Sequence, residues 1–193
     1  RGCPSARLAN IHIDNFGQIN ETYYRGAQPR PGDFRDLAAL GVKTVIDLTS
    51  YDSEVWEEAM VADTGMKFYR IPMTTIDRPS HMLVTKFLNL VNNPANQPVF
   101  VHCRGGRHRT GAMTAVYRMT HDGWDADQAY AEMKQYRFEQ GFPPHLELKE
   151  FVYDYYDELS GTDRRADRKS GDREMRILDK VPLDKLPMPI EKY

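Results

Sequence analysis

The chain has 193 residues, of which 40% are hydrophobic and 11% aromatic, and its formal net charge is −2. That length and composition suit one globular domain with appendages and exclude a disordered polymer. Near-neutral charge gives no general attraction to nucleic acid or membrane, so no nucleic acid partner is expected and any anion site has to be built locally.

Two cysteines, Cys3 and Cys103, are too few for a disulfide framework, and neither has the spacing of a zinc site. A bridge between them is disfavoured, because Cys3 lies in a loose N-terminal stretch. No apolar run is long enough for a transmembrane segment. The chain opens at Arg1 and not Met, which points to a removed tag or leader. Localisation therefore stays open between cytoplasmic and, if the leader was secretory, extracytoplasmic. The oligomeric state is not legible.

In chain order, residues 1–20 read as an N-terminal extension with a short alternating stretch, Ile11-His12-Ile13. Thr22 to Arg25 is β-prone and stops at Gly26. Pro31, with Phe34, Leu37, Ala38 and Leu40, has helical spacing that ends at Gly41. Val42 to Leu48 is a β-branched run, the pattern of a buried strand. Residues 53–64 read as a helix closed by Gly65, and Met66 to Pro72 as a short strand. Met82, Leu83, Phe87, Leu88 and Val91 mark an amphipathic helix stopped at Asn92-Asn93-Pro94. Pro98 to His102 is a strand that runs straight into Cys103.

Three helical patterns follow, over 110–120, 125–138 and 145–159; Asp125 and Gln128 form a capping-box pair at the second. Strands alternating with helices predict an α/β fold with a central, mainly parallel sheet of four to five strands flanked by helices. Residues 21–159 would form the domain. Residues 160–193 are charge-dense, carry Pro182, Pro187 and Pro189, and read as a C-terminal tail with little regular structure.

The chemistry concentrates in the run Val99 to Gly111, VFVHCRGGRHRTG. A strand, a glycine-containing loop and then a helix bring loop N–H groups and the positive helix end to one spot, which makes an anion cradle. Gly105 and Gly106 allow a tight backbone path. Cys103 stands at the base of the loop, where cations and a helix N-terminus favour its thiolate. Arg109, six positions on, offers a planar fork that holds two phosphoryl oxygens at once, which Lys does not. Cys-x5-Arg alone is a weak pattern; the preceding β-run, His102, the paired glycines and Arg-Thr-Gly make it specific. The competing reading is a buried core cysteine, which would drag Arg104, Arg107 and Arg109 toward the core.

HCRGGRHRTG resembles the signature loop of the protein tyrosine and dual-specificity phosphatase superfamily. It is especially similar to that of the compact dual-specificity-like members of fungi, plants and bacteria, some of which act on inositol pyrophosphates. The likeness extends over about residues 20–159, through YYRGAQP and GVKTVIDL. It implies a cysteine-phosphatase fold and a two-step phosphomonoester hydrolysis through phosphocysteine, with no metal or cofactor. Cys103 would correspond to the nucleophile, Arg109 to the phosphate clamp and Thr110 to the hydroxyl that assists hydrolysis. His102 would correspond to the residue that helps set the thiol's acidity.

The family takes the leaving-group proton from an upstream aspartate on a mobile loop. Asp77, 26 positions before Cys103, is the first candidate; Asp47 and Asp52 are weaker ones. Asp77 could also serve only to start the turn before Pro79, and pyrophosphate substrates have less need of an acid. Arg104, Gly105, Gly106, Arg107 and His108 are the expected substrate-binding set. Their basic members suit polyphosphates, unless they are simply solvated or paired with carboxylates. Tyr23, Tyr24 and Tyr51 are candidates to line a phosphotyrosine pocket.

The expected partner is therefore a phosphorylated protein, with a polyphosphorylated small molecule or phosphoinositide as the alternative. A rhodanese-like sulfurtransferase and an inactive phosphate-binding module are the remote readings. His12, His81, His121 and His145 lack partners at metal-ligand spacing, and Trp56 and Trp124 read as packing residues.

Overall fold

The computed structural model describes residues 11–140 and 145–161. The chain divides into two units, Arg1–Tyr153 and Asp154–Tyr193. Cys3 and residues 162–193 lie outside the described residues, and so does most of the charge-dense tail expected to have little regular structure.

Five strands form one sheet: β1 (Gly17–Asn20), β2 (Tyr23–Ala27), β3 (Thr44–Asp47), β4 (Lys67–Arg70) and β5 (Val99–Cys103). Their order is β1-β2-β5-β3-β4. β2 and β3 both run parallel to β5, β4 runs parallel to β3, and β1 alone is antiparallel, paired to β2. The sheet is the α/β, mainly parallel arrangement that the alternating pattern predicts. β5, flanked on both sides, is fully buried, as its unbroken apolar run requires.

β1 was not foreseen. Its sequence, GQIN, has one apolar residue and weak strand propensity; the pairing to β2 makes it a strand. The N-terminal segment is also packed: Ile13 is buried, and the Phe16 ring stacks on Tyr24 and Phe100. The 11–20 stretch is thus part of the folded layer, although the sequence set it apart as an extension.

The helices are α1 (Asp33–Leu40), α2 (Glu57–Ala62), α3 (His81–Val91), α4 (His108–His121), α5 (Ala126–Gln135) and α6 (Leu146–Ser160). α1 buries Phe34 and Leu37 and ends on Gly41 at φ 103, a left-handed stop that suits glycine. α2 is shorter than the 53–64 pattern. α3 opens on Ser80, whose hydroxyl accepts from the Leu83 amide. α5 opens on the Asp125–Gln128 capping box. α4 is buried along almost its whole length from Arg109 to Met119, so it is the central helix and the sheet fixes its N-terminus. No helix among the described residues is long and apolar enough to cross a membrane.

Candidate active site

β5 ends at Cys103 and α4 starts at His108, so four residues carry the chain from strand to helix. The loop leans on the end of β2: Ala27 pairs with Cys103, and the Gln28 amide donates to the Arg104 carbonyl at 3.2 Å. Gly106 has φ 62, and a Cβ there would fall 2.4 Å from the Gly26 carbonyl carbon. Only glycine allows both that dihedral and that approach. Gly105 is different: a Cβ would meet nothing closer than 3.6 Å, so of the expected pair only Gly106 is demanded by the backbone.

Cys103 is a free thiol, 2% exposed, at the floor of this loop. Thr110 turns its amide to the sulfur, together with a hydroxyl that no other group engages. Burial pushes the thiol's pKa up; Arg109, Thr110 and His102 outweigh it, so the net shift is downward. A thiolate is the attacking form.

Arg109 is 3% exposed. Its two terminal nitrogens donate to Asp52 Oδ1 and Oδ2 at 2.8 and 2.6 Å, and one also reaches the Met73 carbonyl at 3.2 Å. The fork is thus held by a carboxylate in the bidentate manner in which it would hold two phosphoryl oxygens. Arg109 keeps Asp52 below the ordinary carboxylate range. Asp52 is therefore ionised and already committed, which argues against it as the proton donor. An incoming phosphoryl group has to compete with it for the fork.

His102 is fully buried beside two buried carboxylates. Its Nε2 lies 2.8 Å from Glu57 Oε1, off the hydrogen-bond axis, and Asp47 is its neighbour across the β3–β5 pairing. Burial alone would lower the imidazole's pKa; Glu57 and Asp47 reverse the sign, so it is raised. Asp47 also accepts from the Thr49 amide and hydroxyl and from Arg70 Nε, at 2.7, 2.6 and 2.6 Å. It is saturated at the sheet and is not placed as an acid. Asp47, Glu57 and His102 are the one group among the described residues whose ligand atoms lie close enough for a metal. Their contacts are those of charge pairs.

The rim is less cationic than its sequence. Arg104 donates to Glu54 Oε1 at 2.6 Å. Burial, then His145, lowers His108 to about 4, so its ring is neutral at pH 7. The two imidazoles pack tilted at 43°, centroids 3.6 Å apart, and His145 Nδ1 lies 3.0 Å from the Thr75 carbonyl oxygen. His145 thus ties the cysteine loop to the segment carrying Asp77.

Asp77 sits in an exposed turn. Its carboxylate accepts from the Thr74 hydroxyl at 2.7 Å, and its amide donates back to that oxygen at 3.0 Å. The structure brings together Cys103, Arg109, Thr110 and His102; it places Asp77 on a separate surface turn. Tyr23 and Tyr24 are core residues, Tyr23 with its hydroxyl 3.2 Å from that of Thr114, so neither lines a pocket. Tyr51, next to Asp52, is 79% exposed.

Four residues escaped the sequence reading in their roles here: Asp52 and Glu57, and Asn15 and Arg25, which both donate to the Gly106 carbonyl. For Arg25 a signal was available, namely a charged residue inside a β-prone run.

The family described as DSP-PTPase phosphatase fused to NAD+ kinase matches residues 12–151. The inositol diphosphatase SIW14 of Saccharomyces cerevisiae is 30% identical over 77% of this chain and 53% of its own length. The crystal structure of its core catalytic domain with citrate superposes with a TM-score of 0.65 at 31% identity, covering 75% of this chain and 87% of that one. The dual specificity protein phosphatase TpbA of Pseudomonas aeruginosa PAO1 is 31% identical over 62% of this chain and 53% of its own. A structure of a TpbA variant in complex with phosphotyrosine gives a TM-score of 0.61 at 27% identity, covering 79% of this chain and 86% of that one. The chain thus spans about half the length of these two curated relatives. A match over 140 of 193 residues, on a loop with this geometry, means that the chain belongs to the protein tyrosine and dual-specificity phosphatase superfamily.

Proposed function

We propose that the chain is a cysteine-dependent phosphomonoester hydrolase acting on phosphotyrosine or other phosphoprotein groups. The observation that carries this is the loop itself: a thiol with lowered pKa, a two-nitrogen fork and a hydroxyl facing the sulfur, on one turn of chain. In the first step the Cys103 thiolate attacks phosphorus in line, the P–O bond to the leaving group breaks, and Asp77 supplies that oxygen's proton. Arg109 releases Asp52 and takes two phosphoryl oxygens, stabilising charge that grows in the transition state. In the second step water attacks the phosphocysteine and gives a proton to the Asp77 carboxylate. The S–P bond breaks, and Thr110 hydrogen-bonds the departing thiolate.

Asp77 has to approach the cradle for this, and the exposed turn it occupies is the kind of element that moves on substrate binding. The Arg104–Glu54 pair and the neutral His108 leave Arg107 as the one cation of the expected set without an ion pair among the described residues, which fits a singly phosphorylated residue better than a dense polyanion. A second reading has specific support in the 31% identity across 87% of the SIW14 catalytic-core chain: a phosphatase of inositol polyphosphates or pyrophosphates.

Phosphate release from phosphotyrosine peptides, phosphoinositides and inositol polyphosphates, compared by kcat/KM, tests both. The first reading expects the peptides to lead; a lead for the inositol substrates would replace it with the second. Hydrolysis of an aryl phosphate that Cys103→Ser abolishes would dispose of the sulfurtransferase and the inactive-module readings.

A further inference from the structure

Arg25 projects from the fully buried strand β2 and is itself 0% exposed. A buried guanidinium without a counter-ion is costly, so its surroundings should show where its charge is balanced. One terminal nitrogen donates to the Gly106 carbonyl at 2.6 Å. The guanidinium carbon lies over the Tyr136 ring, 3.9 Å from its centroid. Its Nε and other terminal nitrogen are buried with no hydrogen-bond partner. Burial acts first, to lower its pKa; Tyr23, Tyr136, Glu132 and then Cys103 act in the opposite direction. Of these, Glu132 is already bound to Arg118, through Nε and a terminal nitrogen at 3.1 and 2.6 Å. The two phenols are neutral at pH 7, as their pKa values are raised by burial. Of these four, that leaves the Cys103 thiolate.

The Gly106 carbonyl is held from a second side. Asn15 Nδ2 donates to it at 2.8 Å and to the Tyr136 carbonyl at 3.0 Å. Two donors therefore fix one peptide of the cradle, in the residue where a Cβ cannot be accommodated.

We infer that Arg25 is the second cation of the phosphate site: a positioning residue that pins the Gly106 peptide and whose charge is balanced by the Cys103 thiolate and the bound phosphoryl group instead of by a carboxylate. Arg109 grips the anion from the α4 side; Arg25 supports it from β2, through the loop backbone.

The inference rests on the thiol-phosphatase reading, and two variants separate them. Arg25→Gln keeps an N–H for the Gly106 carbonyl and removes the charge. Arg25→Lys keeps the charge. Three measurements are made on each: the rate of Cys103 alkylation by iodoacetamide across pH, inhibition by inorganic phosphate and tungstate, and the melting temperature. The Gln variant is expected to raise the thiol's pKa by roughly one unit, a tenfold change in the proton equilibrium, and to weaken tungstate inhibition about tenfold. The Lys variant should stay within roughly threefold of the parent on both.

A Gln variant that melts earlier yet keeps the parent's thiol pKa and tungstate affinity would overturn the inference and make Arg25 a packing residue. Should the Gln variant fail to fold, the Lys variant decides alone: a tenfold loss of tungstate affinity there would show that the retained charge is not what counts. If the parent protein binds neither phosphate nor tungstate, the phosphatase reading itself falls.

Discussion

The cysteine loop and the Asp77 turn are built in opposite ways. Cys103, Arg109, Thr110 and His102 are all at most 3% exposed and are held by backbone, sheet register and one another. Asp77 is exposed and bonded only within its own turn among the contacts seen, through Thr74. In the proposed mechanism the two sides have different tasks. A cradle that stabilises a transition state gains by being fixed in advance. A proton donor that meets a variable leaving group can come from a mobile segment. Loop changes should therefore damage every substrate alike, and changes at Asp77 should discriminate between leaving groups.

The largest effects should come from the loop. Cys103→Ser is expected to abolish turnover on every phosphomonoester. Arg109→Lys keeps a charge but loses the fork, and should lower kcat by about 10²–10³-fold. Gly106→Ala should come close behind, since its Cβ would sit 2.4 Å from the Gly26 carbonyl carbon; activity should fall on aryl and alkyl phosphates in the same proportion. A substrate-selective loss in any of these would blur the contrast.

Asp77→Asn sharpens it from the other side. The loss expected for alkyl phosphates is on the order of 10²-fold, and much less for aryl phosphates whose leaving oxygen hardly needs a proton. Equal loss on both would remove Asp77 from the acid role.

How much of this could be read from the sequence divides along the same line. The loop was legible because its constraints are local: a β-run, six residues of spacing and a helix start all lie in one stretch. Asp52 was legible only as a distant acid candidate, because its pairing with Arg109 spans 57 residues and depends on sheet order. Nothing in the helical pattern over 53–64 singled out Glu57, and only packing buries it beside His102. β1 was missed since GQIN has no periodicity to detect and owes its strand to β2. The acid was the least legible part of the sequence, because nothing local to 73–80 distinguishes a proton donor from a turn former.

Two smaller effects probe how the fixed side is tuned. Asp52→Asn takes away the carboxylate that competes for Arg109, so inhibition by inorganic phosphate should tighten several-fold while kcat falls modestly because the fork is less well held. Looser phosphate binding would mean that Asp52 orders the site more than it competes for it. Glu57→Gln removes the anion that most favours the charged form of the His102 imidazole. Without that cation the Cys103 thiol should become less acidic, and the acid limb of the kcat/KM profile should move to higher pH by less than about one unit. The sign follows from Cys103 itself: its pKa is lowered, so activity should already be present below the ordinary thiol range and be lost as the thiolate is protonated.

The most direct test is to trap the covalent intermediate. Thr110→Ala protein is mixed with a labelled aryl phosphate, quenched in acid within a single turnover and digested. The account predicts one labelled peptide, phosphorylated on the Cys103 sulfur, and no label in Cys103→Ser protein. Turnover with no label on Cys103, or label on any other residue, would contradict it.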